Sequence, residues 1–188
     1  MVGVVFDVNR GWRTERLELE PLTAAHAAEL GPLLADPALH TFTGGAPLTG
    51  AALAARYARL AARRSPGGDQ LWGNWVLRLR DGRAAVGTVQ ATMPAGEPAA
   101  GPAEIAWVIA RPAQGHGYAK EAARSLAGRL RAAGWLVTAY IHPGHLASQQ
   151  VARAAGLAPS GDVRDGEIRW ASPPPAARPG PVQGGSPI

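Results

Sequence analysis

Cysteine is absent from all 188 residues. That excludes disulfides and thiolate metal sites, and it removes cysteine as a nucleophile. Lysine is nearly absent: Lys120 is the single one, so arginine supplies almost all of the positive charge behind the net +5. The arginines run from Arg10 to Arg178 with no dense stripe and no interleaved stacking aromatics. Such a scatter reads as a solvated surface, and nucleic acid is not an expected partner. No apolar run is long enough to span a bilayer, so no membrane association is expected. No cationic start precedes an apolar stretch either, and the cytoplasm is the expected location. Metal is not expected: His142 and His145 flank Pro-Gly with no carboxylate cluster nearby. His145 and Ser148 lie three apart with no positioned acid, so a Ser-His-Asp triad is not defensible.

What the chain does hold is an apolar fraction of 46%, mostly Ala, Leu and Val, enough for one domain with a real core. Residues 1–13 lack periodicity and read as an arm. Leu17, Leu19 and Leu22 alternate with charged residues as a first strand. Thr23 is placed to cap a helix through Ala27, Leu30 and Leu33, with Gly31-Pro32 as a kink or restart. Residues 41–48 form a loop, and Thr49 is placed to cap a second helix through Leu53, Tyr57 and Leu60. Two strands, 71–80 and 84–93, join at Asp81-Gly82. A strand from Ala103 leads to a helix over 117–133 with the stripe Ala122, Leu126, Leu130 and Ala133, ended by Gly134. A strand over 136–141, a helix ended by Gly156 and a hairpin over 163–171 complete a mixed α/β layout. Trp72, Trp75 and Trp107 read as core or cleft walls. From Ser172 to Ile188 the chain is Pro-, Ala- and Gly-rich without period, and reads as a disordered tail.

The segment Ala103 to Ala123 carries the most information. An apolar strand, Ile105 to Ala110, meets Arg111-Pro112, then Gln114-Gly-His-Gly-Tyr-Ala119, then the helical pattern. Pro112 cannot continue strand pairing at its nitrogen. Gly115 and Gly117 permit a sharp turn and close approach to a ligand. The unpaired N–H groups of the following helix start face outward, which makes a phosphate cradle. It is not a Walker loop, because no Ser or Thr follows Lys120. Nor is it a dinucleotide fingerprint, since Ala119 and Ala122 do not supply the third glycine.

This loop resembles the Gln/Arg-x-x-Gly-x-Gly/Ala acyl-CoA loop of the GNAT superfamily of N-acetyltransferases. The flanking text resembles the branch of the RimJ/RimL ribosomal-protein acetyltransferases. Thr14-Glu-Arg-Leu-Glu-Leu-Glu-Pro-Leu22 fits that branch, as does His145-Leu-Ala-Ser-Gln-Gln-Val-Ala-Arg-Ala-Ala-Gly-Leu157. The likeness covers roughly residues 14–171. It implies an α/β GNAT fold, a mixed and mostly antiparallel sheet splayed at the acyl-CoA site and flanked by helices. It also implies acetyl-CoA as co-substrate and a primary amine as acceptor, either a peptide N-terminus or a small molecule. The chain is expected as a monomer or homodimer.

Residue by residue, the resemblance implies that the backbone of Val108, Ile109 and Ala110 pairs with pantetheine. The N–H groups of Gln114, Gly115, His116, Gly117, Tyr118 and Ala119 would hold the pyrophosphate, with His116 and Lys120 adding charge. Glu104, ten positions before Gln114, would be the general base, its pKa raised if apolar neighbours desolvate it. Ser148 would lie near the CoA sulfur as acid or relay. The sequence departs from the family twice. Ala152 stands where many members have a tyrosine acid, and His145 stands where Asn is usual, bringing a titrating ring to the CoA contact. Those departures support the rival reading, a non-catalytic acyl-CoA sensor or scaffold; Glu104 and Ser148 oppose it. The segments expected to build the acceptor groove, the first two helices, the loop Thr41 to Leu48 and the hairpin region, carry few acids, Glu29, Asp36 and Asp69, which disfavours a polycationic acceptor such as an aminoglycoside.

Overall fold

A computed structural model describes residues 5–42 and 45–174. Eight strands form one sheet: β1 (Trp12–Arg13), β2 (Leu17–Pro21), β3 (Gln70–Leu79), β4 (Ala85–Pro94), β5 (Ala103–Ile109), β6 (Val137–Ile141), β7 (Ala158–Arg164) and β8 (Glu167–Ala171). Their order is β1-β2-β3-β4-β5-β6-β8-β7. Every pairing is antiparallel except β5 with β6. Four helices lie against the sheet: α1 (His26–Leu34), α2 (Gly50–Ala61), α3 (Tyr118–Ala132) and α4 (Leu146–Ala154).

Alternation sorts the strands' side chains onto two faces. Leu17 and Leu19 of β2, Ile105 and Ile109 of β5 and Val137 of β6 join one core with Ala122, Leu126 and Leu130 of α3 and Val151 of α4. The expected α3 stripe is thus buried as its 3.6-residue period requires. On the other face Leu22 and Val76 pack against Ala27 and Leu30 of α1 and Leu53 and Tyr57 of α2. Those two helices cover only β2, β3 and part of β4. The same face of β5 and β6 is left open, and that opening is where the site forms.

Several local expectations shift. α1 starts at His26 because His26 Nδ1 accepts from the Thr23 amide at 2.9 Å while the Thr23 carbonyl accepts from the His26 amide at 3.3 Å. It runs through Gly31-Pro32 unbroken, held by packing on α2, where a Gly31 Cβ would touch Leu53 at 3.4 Å. Thr49 does precede α2 in extended conformation but makes no side-chain cap. The closing hairpin begins at Ala158, earlier than Val163, and turns on Asp165-Gly166 with φ of +52° and +81°.

Residues 5–13, read as an aperiodic arm, dock. Trp75, wholly buried, donates from Nε1 to the Arg10 carbonyl at 3.0 Å and meets the rings of Phe6 and Trp12 edge-on at 5.9 and 5.0 Å. Here scattered aromatics do what a periodic stripe does elsewhere, so no period is visible. At the other end, Ser172 is buried and pairs with β6: its Oγ accepts from the Val137 amide at 3.1 Å. Its own amide donates to the Val137 carbonyl at 2.8 Å. The fold therefore reaches one residue past the expected boundary at Ala171. The rest of the expected tail, 175–188, lies outside the described residues.

Ser172→Ala leaves the buried Val137 amide without its side-chain acceptor. It is expected to cost about 1–3 kcal/mol. Urea unfolding would show a lower midpoint at unchanged slope; a midpoint equal to wild type would mean the bond contributes nothing.

Candidate active site

The site begins where the sheet fails to continue. β5 and β6 pair only at Ala103↔Val137 and Glu104↔Thr138. Beyond these two pairs the strands part, while β5 stays bonded to β4 as far as Ile109. Backbone direction alternates along β5. The Ala110 amide donates to Val86 of the β4 side, and the Ala103 amide donates to Leu136 at the β6 side. The backbone groups of Val108 and Ala110 therefore face β4, and those of Trp107 and Ile109 face the gap. This revises the expected trio: of Val108, Ile109 and Ala110, only Ile109 presents its backbone to the opening. Trp107 is the residue the sequence reading missed, because which alternate positions face the gap follows from the bonds β5 makes to Leu136 and Val86. Close β4–β5 contact requires glycine at 87, where a Cβ would fall 2.1 Å from the Val108 carbonyl oxygen.

The open edge runs into the loop. After a short 3-10 turn at Arg111–Ala113, Gln114 folds back and its Nε2 donates to the Ile109 carbonyl at 3.0 Å. Gly115 and Gly117 both have φ of +81°, in the left-handed region that a side chain disfavours. Gly117 caps α3, and no side chain occupies the cap. The first-turn N–H groups of α3 thus have no intrahelical partner. His116 is not aimed at this space: its Nδ1 lies 2.9 Å from the Gln114 carbonyl and its ring stacks on Tyr118 at 5.6 Å. Lys120 does line the cavity.

A clamp from the far end of the sheet fixes the loop. Arg16 Nη1 donates to the His116 carbonyl at 2.9 Å, and Nε donates to Glu121 Oε2 at 2.7 Å. The Arg16 amide and Thr14 Oγ1 both donate to Glu121 Oε1, at 2.8 and 2.6 Å. The guanidinium also lies 5.0 Å from the Tyr118 ring centroid. Burial pushes the Glu121 carboxyl up, but the bonds from Thr14 and Arg16 outweigh it and leave the pKa lowered. Nothing in local sequence links residues 14–16 to 116–121, so this contact was not foreseen.

On the opposite wall, α4 brings His145 and Ser148 to the cavity. His145, at the helix N-terminus, stacks on Phe42 at 4.4 Å, and Phe42 also meets His142 at 5.3 Å. Burial, then the neighbouring His142, lowers the His145 pKa below 6.5, so its ring is neutral at pH 7. Glu104 is placed differently from expectation. It does not line the cavity, and its two carboxylate oxygens accept from Arg164 Nη2 at 3.0 and 3.1 Å. That guanidinium covers the Tyr140 ring at 3.6 Å. The carboxylate thus meets a cation in place of the apolar surroundings that the sequence suggested.

These walls enclose a cavity of about 1170 Å³ that runs from the loop, past Ser148, to α1 and α2. A small-molecule pocket typically spans about 300–1,000 Å³, so there is room for an extended arm and a second reactant. The site joins an open sheet edge, a helix start without a side-chain cap and a cavity that reaches α1 and α2.

The family model for the acetyltransferase (GNAT) domain matches residues 16–158, and the chain belongs to that family. Its members are acetyltransferases, and the family implies acetyl-CoA as donor. Among solved structures, an acetyltransferase from Agrobacterium tumefaciens is 23% identical with a TM-score of 0.67, covering 91% of this chain and 98% of its own. A GNAT-family acetyltransferase from Bacillus anthracis is 18% identical with a TM-score of 0.68, covering 86% and 97%. AAC(6')-Ib in complex with paromomycin and acetyl-CoA is 18% identical with a TM-score of 0.68, covering 84% and 93%. At these identities the likeness is one of fold. No curated protein sequence matches.

The lowered His145 pKa gives a sign. Its stabilising contribution is whole above 6.5, where the unfolded ring is also neutral, and is lost as pH falls from there through the folded value. His145→Asn should flatten the decline in melting temperature between pH 7 and 5. Parallel wild-type and mutant curves would show that His145 titrates as it does unfolded.

Proposed function

We propose that the chain transfers the acetyl group of acetyl-CoA to a primary amine by direct attack in a ternary complex. The single observation behind this reading is the open β5 edge that ends on the helix-start amides after Gln114, whose own amide is taken by the Arg111 carbonyl at 3.2 Å. In this reading pantetheine lies in the β5–β6 gap and bonds the backbone of Trp107 and Ile109. The amides from Gly115 to Lys120 and the helix dipole take the pyrophosphate. The amine enters from the side of α1 and α2. Its nitrogen attacks the thioester carbonyl, the C–S bond breaks, and the thiolate leaves beside Ser148.

Most of the rate comes from alignment, which in well-oriented systems supplies roughly 7–11 kcal/mol. Glu104 takes the amine proton through water. A carboxylate has about four acceptor sites, and Arg164 fills only two while orienting the group. Ser148 hydrogen-bonds the departing sulfur. The neutral ring of His145 replaces the usual Asn as a hydrogen-bonding partner for pantetheine. The acceptor is the amine of a peptide N-terminus or of a small molecule.

Gly117→Trp puts a bulky ring where backbone must meet phosphate and forces a side chain into φ of +81°. Calorimetry on the mutant, shown folded by circular dichroism, should find acetyl-CoA affinity reduced at least tenfold. Wild-type affinity would refute the loop's assignment.

Glu104→Gln should lose roughly 10²-fold in kcat near pH 7 and partly recover at high pH, where the free amine is abundant. Ser148→Ala should lose less and show no such recovery. An unchanged kcat for Glu104→Gln at pH 7 would discard the base assignment.

A further inference from the structure

The acceptor end of the cavity has a charge pattern of its own. All three acids that the sequence offered near it are taken by other partners. Glu29 accepts two bonds of 2.8 Å from Arg78, Asp36 lies 3.4 Å from Arg111, and Asp69 accepts from Ser65 at 2.6 Å. None of the three lines the cavity, and among the described residues Glu167 is the one carboxylate that does. Arg56 of α2, His40 and His142 also line the cavity. Arg56 makes no ion pair or hydrogen bond among the described residues. Beside α2, the Asn74 side chain lines the cavity at 6% exposure and has no hydrogen-bond partner among them either. Its carboxamide opens onto the cavity, where a ligand's polar group can bond it. The walls between these groups are apolar: Leu22, Leu39, Phe42, Leu53 and the ring of Tyr57.

A polyamine or aminoglycoside would bring several cations to a site with one carboxylate and one unpaired guanidinium. Such like-charge placement costs affinity. We infer that the acceptor is a small monoamine with an apolar or aromatic body and one acid group, an amino-acid-like molecule whose carboxylate is read by Arg56 and whose polar head bonds Asn74. This inference rests on the acetyl-transfer reading and narrows it. The reaction balances simply: the amine nitrogen bonds the acetyl carbon, the thiolate leaves as CoA, and one amine proton goes to Glu104 through water.

The test measures thiol release at saturating acetyl-CoA with phenylalanine, phenylalaninamide, an amidated Phe-Ala dipeptide, spermidine and kanamycin. Each kcat/KM is referred to the concentration of free amine. Phenylalanine should exceed its amide at least tenfold, through KM. Arg56→Gln should bring that ratio close to one, and Asn74→Leu should raise KM for both. Equal rates for acid and amide, a preference for spermidine or kanamycin, or a dipeptide amide as good as phenylalanine would each overturn the inference while leaving acetyl transfer intact. Acetylation of no compound in the set, with acetyl-CoA binding seen by calorimetry, would also overturn it. Failure of acetyl-CoA itself to bind would instead remove the reading beneath.

Discussion

Everything at the site depends on an unsatisfied backbone edge. A β-strand deep in a sheet ordinarily bonds on both sides, and leaving one side open is costly unless something fills it. Here β5 bonds β4 along its length but holds β6 for only two pairs. The parting is not a fraying end, because both strands stay anchored. Ile105 and Ile109 on β5 and Ala139 and Ile141 on β6 are all buried against the face that carries α3 and α4. The opening is therefore rigid, and its edge is directed straight at the start of α3. In the proposed function a pantetheine arm completes the missing strand.

Rigidity at the loop has a separate origin. Two left-handed glycines leave the backbone free to bend, so something must hold it. Arg16 and Thr14 do so from the start of β2, across the sheet, through Glu121 and the His116 carbonyl. The Glu121 carboxylate accepts three of these bonds at one helix start, where negative charge is also favoured by the dipole. A further ion pair plays the same part on the acceptor side. Arg78 bonds Glu20 and Glu29, which raises the Arg78 pKa and ties α1 to β2 and β3. The acids nearest the acceptor groove are thereby spent on structure, and the groove's own charge is left to Arg56 and Glu167.

Where local period or local turn chemistry fixes an outcome, the sequence was legible. The α3 stripe, the strand alternation of β2 and the Gly-x-Gly turn are of this kind, and each involves residues within a few positions of one another. The misses share the opposite property. Trp75 with Phe6, Arg16 with Glu121, and Arg164 with Glu104 join residues from 60 to 105 positions apart. That first pair, separated by 69 positions, is why the arm docks without showing a period. Glu104 illustrates the limit well. Its neighbours in sequence are apolar, and its neighbour in space is a guanidinium from the β7–β8 hairpin.

By itself the sequence determined the α/β class, the Gly-x-Gly turn at Gly115 and Gly117, the absence of thiol chemistry and the scarcity of acids near the acceptor segments. These follow from composition and from short-range backbone rules. Tertiary structure alone decided which β5 backbone groups face the gap and what surrounds Glu104. It also decided that the nearby acids are engaged by other side chains and that Arg56 and Asn74 line the cavity with no side-chain partner among the described residues. Those outcomes depend on which distant chain segments meet across the sheet, and no local pattern encodes that.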